Sequence, residues 1–144
     1  MKKIGEYTAR GQIDDNTVEK ITLFDGKFNT GYRITKFVVA GVDTTSQTTT
    51  DVNGCIGTTE SGPSGSWDFG NNEQIAWSAS RGIDAATLGD LFSLVDRDNM
   101  VIEDLYVYGN SNGGTKVNYY IEMDKYDITD WQGALTMVRN RSQA

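Results

Sequence analysis

Much of the chain alternates between apolar and polar positions. In VNYYIEMD (117–124), Val117, Tyr119, Ile121 and Met123 fall on one face, and Asn118, Tyr120, Glu122 and Asp124 on the other. That period-two pattern is the mark of a half-buried antiparallel strand. The same pattern predicts strands over 7–13, over 17–24 with Ile21 and Leu23 on one face, and over 73–80 with Ile75 and Trp77 on one face. The strongest central strand is expected over 31–42. Its alternation changes phase near Lys36, from Tyr32 and Ile34 to Phe37 and Val39, which predicts a β-bulge or a strand covered on both faces. A short strand is expected at CIGTTE, from Cys55. The segments 100–109 and 115–126 flank NSNGG, where Gly113 and Gly114 permit positive φ, and are expected to pair as a hairpin. Residues 43–54 read as a polar loop or an exposed hairpin edge. Residues 61–72 hold the single proline and read as a long loop.

Two stretches change period. Leu88, Leu91, Phe92 and Val95 recur at i, i+3, i+4 and i+7, with Asp84 placed to cap, which predicts a short helix near 84–95. Gly89 inside it costs about 1 kcal/mol relative to Ala. Thr129 and Gln132 form a capping box, and Trp131, Ala134, Leu135 and Val138 make one stripe at helical spacing, which predicts an amphipathic helix near 130–141. Arg139 and Arg141 stand at its C-terminal end, where cations are favourable. A helix of about three turns is too short to stand alone, so its stripe is expected to dock.

These elements predict one all-β domain over 1–144, an antiparallel β-sandwich with jelly-roll-like or Greek-key connections. Residues 1–6 are expected to form a flexible arm, and 127–144 a C-terminal docking element. The 16 glycines fit many turns and short strands.

Charge and chemistry narrow the function classes. The net charge of −7 argues against direct nucleic-acid binding, which needs cations to neutralise phosphates, and against an anionic membrane surface. No apolar run approaches the roughly 18 residues of a membrane span. The first residues, MKKIGEYTARGQ, lack the apolar core of a secretory signal, so folding in a cytoplasm is expected. There is no histidine and one cysteine, Cys55, which removes the commonest general base, any Cys/His pair and any Cys-only metal site. The carboxylates Asp96 and Asp98, with Glu103 and Asp104 just after, are the most suggestive cluster for hydrolase or calcium-binding chemistry. They lack the full calcium-loop pattern, and a solvated turn explains them. No catalytic residue, metal ligand or cofactor is therefore expected, and the chain does not read as an enzyme.

Three segments carry a resemblance: LFDGKFNTGYR within 20–41, MVIEDLYVY within 98–109, and the tail DWQGALTMVRNRS. They resemble small all-β virion proteins of marine-type bacterial viruses, over about half of the chain. The resemblance implies a structural capsid- or tail-associated subunit found in the virion after synthesis in a host cytoplasm. It implies copies of itself and other virion proteins as partners, and supplies no site residues. On the residues themselves, the interface candidates are Tyr106, Tyr108 and Tyr120, expected on the outward face of the terminal hairpin, and the tail residues Trp131, Leu135, Val138, Arg139 and Arg141. The alternative is a carbohydrate-binding sandwich used for attachment, with Trp67 stacking on a sugar beside Asp68. Against it stands the reading of Trp67 as a plug under its own loop.

Overall fold

The structure is a computed structural model that describes residues 2–24, 26, 29–42, 51–81, 91–128 and Leu135. Among the described residues there are nine strands: β1 (Lys2–Ile13), β2 (Thr17–Ile21), β3 (Thr30–Gly41), β4 (Val52–Gly57), β5 (Gln74–Ser80), β6 (Leu91–Val95), β7 (Met100–Val101), β8 (Leu105–Ser111) and β9 (Val117–Asp127).

All the pairings are antiparallel, and they are nested. β4 pairs with β5, β3 with β7, β2 with β8 and β1 with β9, as if one long hairpin had closed from its tip. Lateral pairing of β3 with β9 and of β4 with β8 then divides the strands between two sheets. One runs β1-β9-β3-β7. The other runs β2-β8-β4-β5, with β6 added beyond β5.

The two sheets stack in a sandwich-like arrangement over a shared core. Phe37, Val39, Ile121 and Met123 come from one sheet, and Ile56, Ile75, Leu105 and Val107 from the other. Each such side chain contributes roughly 1.5–3 kcal/mol when fully withdrawn from water. The row Val117, Tyr119, Ile121, Met123 is buried and the intervening residues are half-buried, as their alternation requires. The phase change near Lys36 is a bulge: the β3–β9 register shifts between Ile34 and Lys36. Thr35 is the extra residue, and its hydroxyl donates to the Glu122 carbonyl at 3.2 Å.

Several expectations need correction. No helix is present over 91–95. Leu91–Val95 is strand β6, paired with Ser80–Ala76. The i, i+3, i+4, i+7 spacing of Leu88, Leu91, Phe92 and Val95 coexists with a period-two reading of 91–95, and the free edge of β5 selects the strand by offering a ladder of backbone partners. Residues 84–90 of that expected helix lie outside the described residues. So does the C-terminal helix near 130–141, apart from Leu135, which is exposed.

Residues 105–111 and 117–127 do not form a hairpin. The Gly114 N–H donates to Ser111 O at 3.2 Å, with Gly114 at φ 69°, but this turn carries the chain from one sheet to the other. The apolar rows of β8 and β9 both enter the core, from opposite sides. The expected arm also differs: residues 2–6 belong to β1. Lys3 reaches Glu6 at 3.0 Å and Asp124 at 3.2 Å, so charged residues without an apolar pattern still hold a place on the outer face of an edge strand.

Candidate functional site

The register places the outward side chains of the five-stranded sheet in rows across the strands. One row runs Tyr106, Gly57, Gln74, and the next runs Tyr108, Cys55, Trp77, Leu94. A third runs Asn110, Asn53, Ala79, Phe92.

The loop 58–73 covers much of the first two rows. Pro63 is buried against Gly57, where a Cβ on the glycine would lie 2.5 Å from the proline Cδ. Phe69 meets the Trp77 ring edge-on, with centroids 4.7 Å apart. Gln74, only 4% exposed, ties the loop down. Its Oε1 accepts from the Asp68 N–H at 2.9 Å and the Trp77 indole at 3.0 Å; its Nε2 donates to Gly62 O at 3.0 Å and Ser66 O at 3.2 Å. All four bonding positions of the amide are thereby used. Beneath the loop, burial pushes the Cys55 thiol up to about 12, despite a hydrogen bond from the Ser64 backbone.

The third row is left open. It floors a cleft of about 470 Å³ lined by Asp51, Asn53, Ala79, Arg81, Phe92 and Asn110, among others. Asn53 and Asn110 stand side by side at one end, Phe92 at the other, and the small Ala79 lies between. The Asn53 Oδ1 is buried without a hydrogen-bond partner. Asn110 donates to the Tyr108 hydroxyl at 3.1 Å. Asp51 and Asn112 close the amide end by exchanging bonds: the Asn112 N–H donates to Asp51 O at 3.0 Å, and the Asp51 N–H donates to the Asn112 Oδ1 at 3.1 Å. Arg81 Nε lies 3.5 Å from Asp51 Oδ1, so the two charges at the rim offset each other.

The residues expected to form sites are distributed as follows. Trp67 stacks on Phe92, with centroids 5.5 Å apart and planes 26° from parallel, and is absent from the cleft lining. It buttresses Phe92 from outside. Asp68 is exposed, and its Oδ1 accepts the Gly70 N–H at 2.9 Å. Tyr106, Tyr108 and Tyr120 do not share a face, because the hairpin that was expected to join them is absent. Tyr108 is buried, donating to Asn16 Oδ1 at 2.6 Å, and Tyr106 is half-buried on the same sheet. Tyr120 is on the outer face of the other sheet, in a shallow depression with Arg10, Gln12 and Asn118. Its hydroxyl donates to Glu122 at 2.9 Å, and that bond, with burial, holds the phenol above its usual range. Trp131, Val138, Arg139 and Arg141 lie outside the described residues.

The acidic cluster is dispersed. Asp96 folds the turn between β6 and β7 by accepting the Asp98 N–H at 3.0 Å and the Asn99 side chain. Asp104 faces elsewhere: it pairs with Lys20 at 3.1 Å and accepts the N–H groups of Leu23 at 3.0 Å and Phe24 at 3.3 Å. Burial pushes its carboxyl up, but Lys20 and the two N–H groups outweigh it and hold the group below its ordinary value. Among the described residues no three His, Cys, Asp or Glu side chains converge as a metal site, and no helix is long and apolar enough to cross a membrane.

Reasoning from the sequence missed Asn53, Asn110, Ala79 and Phe92. Each sits on a different strand, and only the register makes them neighbours. The one local signal was the alternation of Phe92 and Leu94, which the helical spacing obscured. No protein-family model matches this chain, and no curated protein or solved structure matches it either.

Proposed function

We propose that this chain is a structural subunit of a bacterial-virus particle, folded as a jelly roll, which associates with copies of itself and packs against other capsid or tail proteins without catalysing a reaction. The observation that carries this reading is the nested pairing of β1–β9, β2–β8, β3–β7 and β4–β5. A long hairpin rolled into two four-stranded sheets is the jelly-roll plan, with β6 as an added edge strand. Viral capsid subunits and lectins both use that architecture, so the support comes by analogy of fold. The three segments that resemble phage virion proteins point the same way.

The strand edges add support. β1 and β6 are terminal strands of their sheets. The sequence of β6, LFSLV, has no charge, and Leu91 and Leu94 are 59% and 44% exposed. Proteins usually guard such an edge with charge, proline or cover, and a neighbouring subunit is one form of cover. Leu135 is exposed as well, as expected of a tail that docks on another copy. The net charge of −7 favours protein partners with basic patches over nucleic acid, and the reading carries no membrane insertion. The protein's place is then the virion, after folding in the host cytoplasm.

Light scattering on the purified protein, at low and near-marine salt, tests this directly. One defined oligomer heavier than the 15.9 kDa chain is expected. Leu94→Asp or Leu135→Asp should reduce it to a folded monomer. A wild-type monomer in both salts would overturn self-association.

A further inference from the structure

We propose that the cleft over the row Asn110, Asn53, Ala79 and Phe92 binds a neutral saccharide. This goes beyond the assembly reading and does not depend on it, because sugar binding and self-association can each fail alone.

Size comes first. A cleft of about 470 Å³ lies within the usual range of small-ligand sites, and it is formed by a rigid sheet. Its floor is Ala79, set between larger neighbours on either side by the pairings Asn53↔Ala79 and Ala79↔Phe92. That step leaves room for a flat ring above the alanine methyl.

The chemistry is graded along the row. At one end the Asn53 Oδ1 is buried with no partner. A buried acceptor without a donor is costly, and a turn of the Asn53 amide about its χ2 would bring that oxygen to a sugar hydroxyl in the cleft. Asn110 spends one N–H on Tyr108, leaving its second N–H and its carbonyl oxygen for a ligand. At the other end Phe92 is 46% exposed, with Trp67 stacked behind it. An exposed aromatic ring held in place by a second ring offers a fixed apolar surface to the C–H face of a pyranose. Amides at one end and an aromatic ring at the other match a molecule with hydroxyls on its edge and C–H groups on its face.

Charge sets the subclass. Among the described residues, the charged groups lining the cleft are Asp51 and Arg81, which pair with each other. Among the described residues no cation is left over for a phosphate, sulfate or uronate, which favours an uncharged sugar. Once paired, the carboxylate and guanidinium still present acceptors and donors to adjacent hydroxyls at the rim.

The test uses the full chain, labelled with ¹⁵N, and titrates it with glucose, galactose, mannose, N-acetylglucosamine, their β1–4-linked disaccharides and, as the acidic comparison, glucuronate at millimolar concentration. At least one sugar should shift the side-chain amide signals of Asn53 and Asn110. Ala79→Leu, which fills the floor, should weaken that sugar at least about tenfold, the equivalent of a single lost stacking or hydrogen-bonding contact, with an unchanged melting temperature. If Ala79→Leu does not fold, Phe92→Ala at the exposed rim should give a comparable loss. The proposal is overturned if no sugar moves either amide in the wild type. It is equally overturned if the folded Ala79→Leu or Phe92→Ala variant binds as well as the wild type, or if acidic sugars alone bind.

Discussion

The side-chain oxygen of Gln74 accepts the indole N–H of Trp77 at 3.0 Å, a bond within β5 that fixes the amide on the outer face of the five-stranded sheet, under the loop it holds. The same oxygen takes the backbone N–H of Asp68, and the amide nitrogen holds the carbonyls of Gly62 and Ser66. One buried amide therefore sets the backbone on either side of Trp67, the ring that stacks behind Phe92 at the cleft.

Replacing Gln74 by Ala should leave buried groups unpaired, at a cost of about 1–3 kcal/mol each. Global stability should fall by at least that amount, and proteolysis within 58–73 should precede global unfolding. Urea denaturation and timed proteolysis check both. A variant as stable and as protease-resistant as the wild type would show that the loop is held by its aromatic contacts instead.

Asp104 should make stability depend on pH. Its folded-state carboxyl is held below the ordinary value of 3.8, so its contribution is fully present above that value and is lost as pH falls through the lowered one. Asp104→Asn should cost about 1–3 kcal/mol at neutral pH, since hydrogen bonds to a charged acceptor are lost. The gap between the melting temperatures of the two proteins should close on acidification below 3.8. A gap that stays constant through that range would exclude the carboxylate as its source.

The thiol of Cys55 should be inert in the native state. It has no exposed surface, and burial pushes it up to about 12, far from thiolate at neutral pH. A colourimetric thiol reagent at about pH 8 should label it only in denaturant. Rapid labelling of the folded chain would mean that loop 58–73 opens readily.

Gly54 should tolerate no side chain. A Cβ there would sit 2.6 Å from Val39 Cγ1, 3.0 Å from Phe37 Cζ and 3.1 Å from the Tyr108 carbonyl oxygen, all within the packed interior. Gly54→Ala should destabilise by about 1–3 kcal/mol, the usual cost of overpacking. Gly5→Ala is the control, because a Cβ there meets nothing within 4 Å. Urea midpoints distinguish the two.

Which side of a strand faces inward could be read from the residues alone. The row Val117, Tyr119, Ile121, Met123 and the phase change near Lys36 were both legible, because burial follows the two-residue period of the backbone and a bulge breaks that period. The loop at 61–72 was legible from its glycines and single proline. Strand partners emerge only from the folded arrangement. Alternation in β8 and β9 is the same whether they pair side by side or face each other across a core, so the expected hairpin became a connection between sheets. At 91–95 the apolar residues fit two periods, and the open edge of β5 chose between them. The cleft was beyond local reading altogether. Asn110, Asn53, Ala79 and Phe92 are separated by long stretches of chain, and it is the hydrogen-bond register of four strands, a property of pairing and not of any one segment, that sets them in a row.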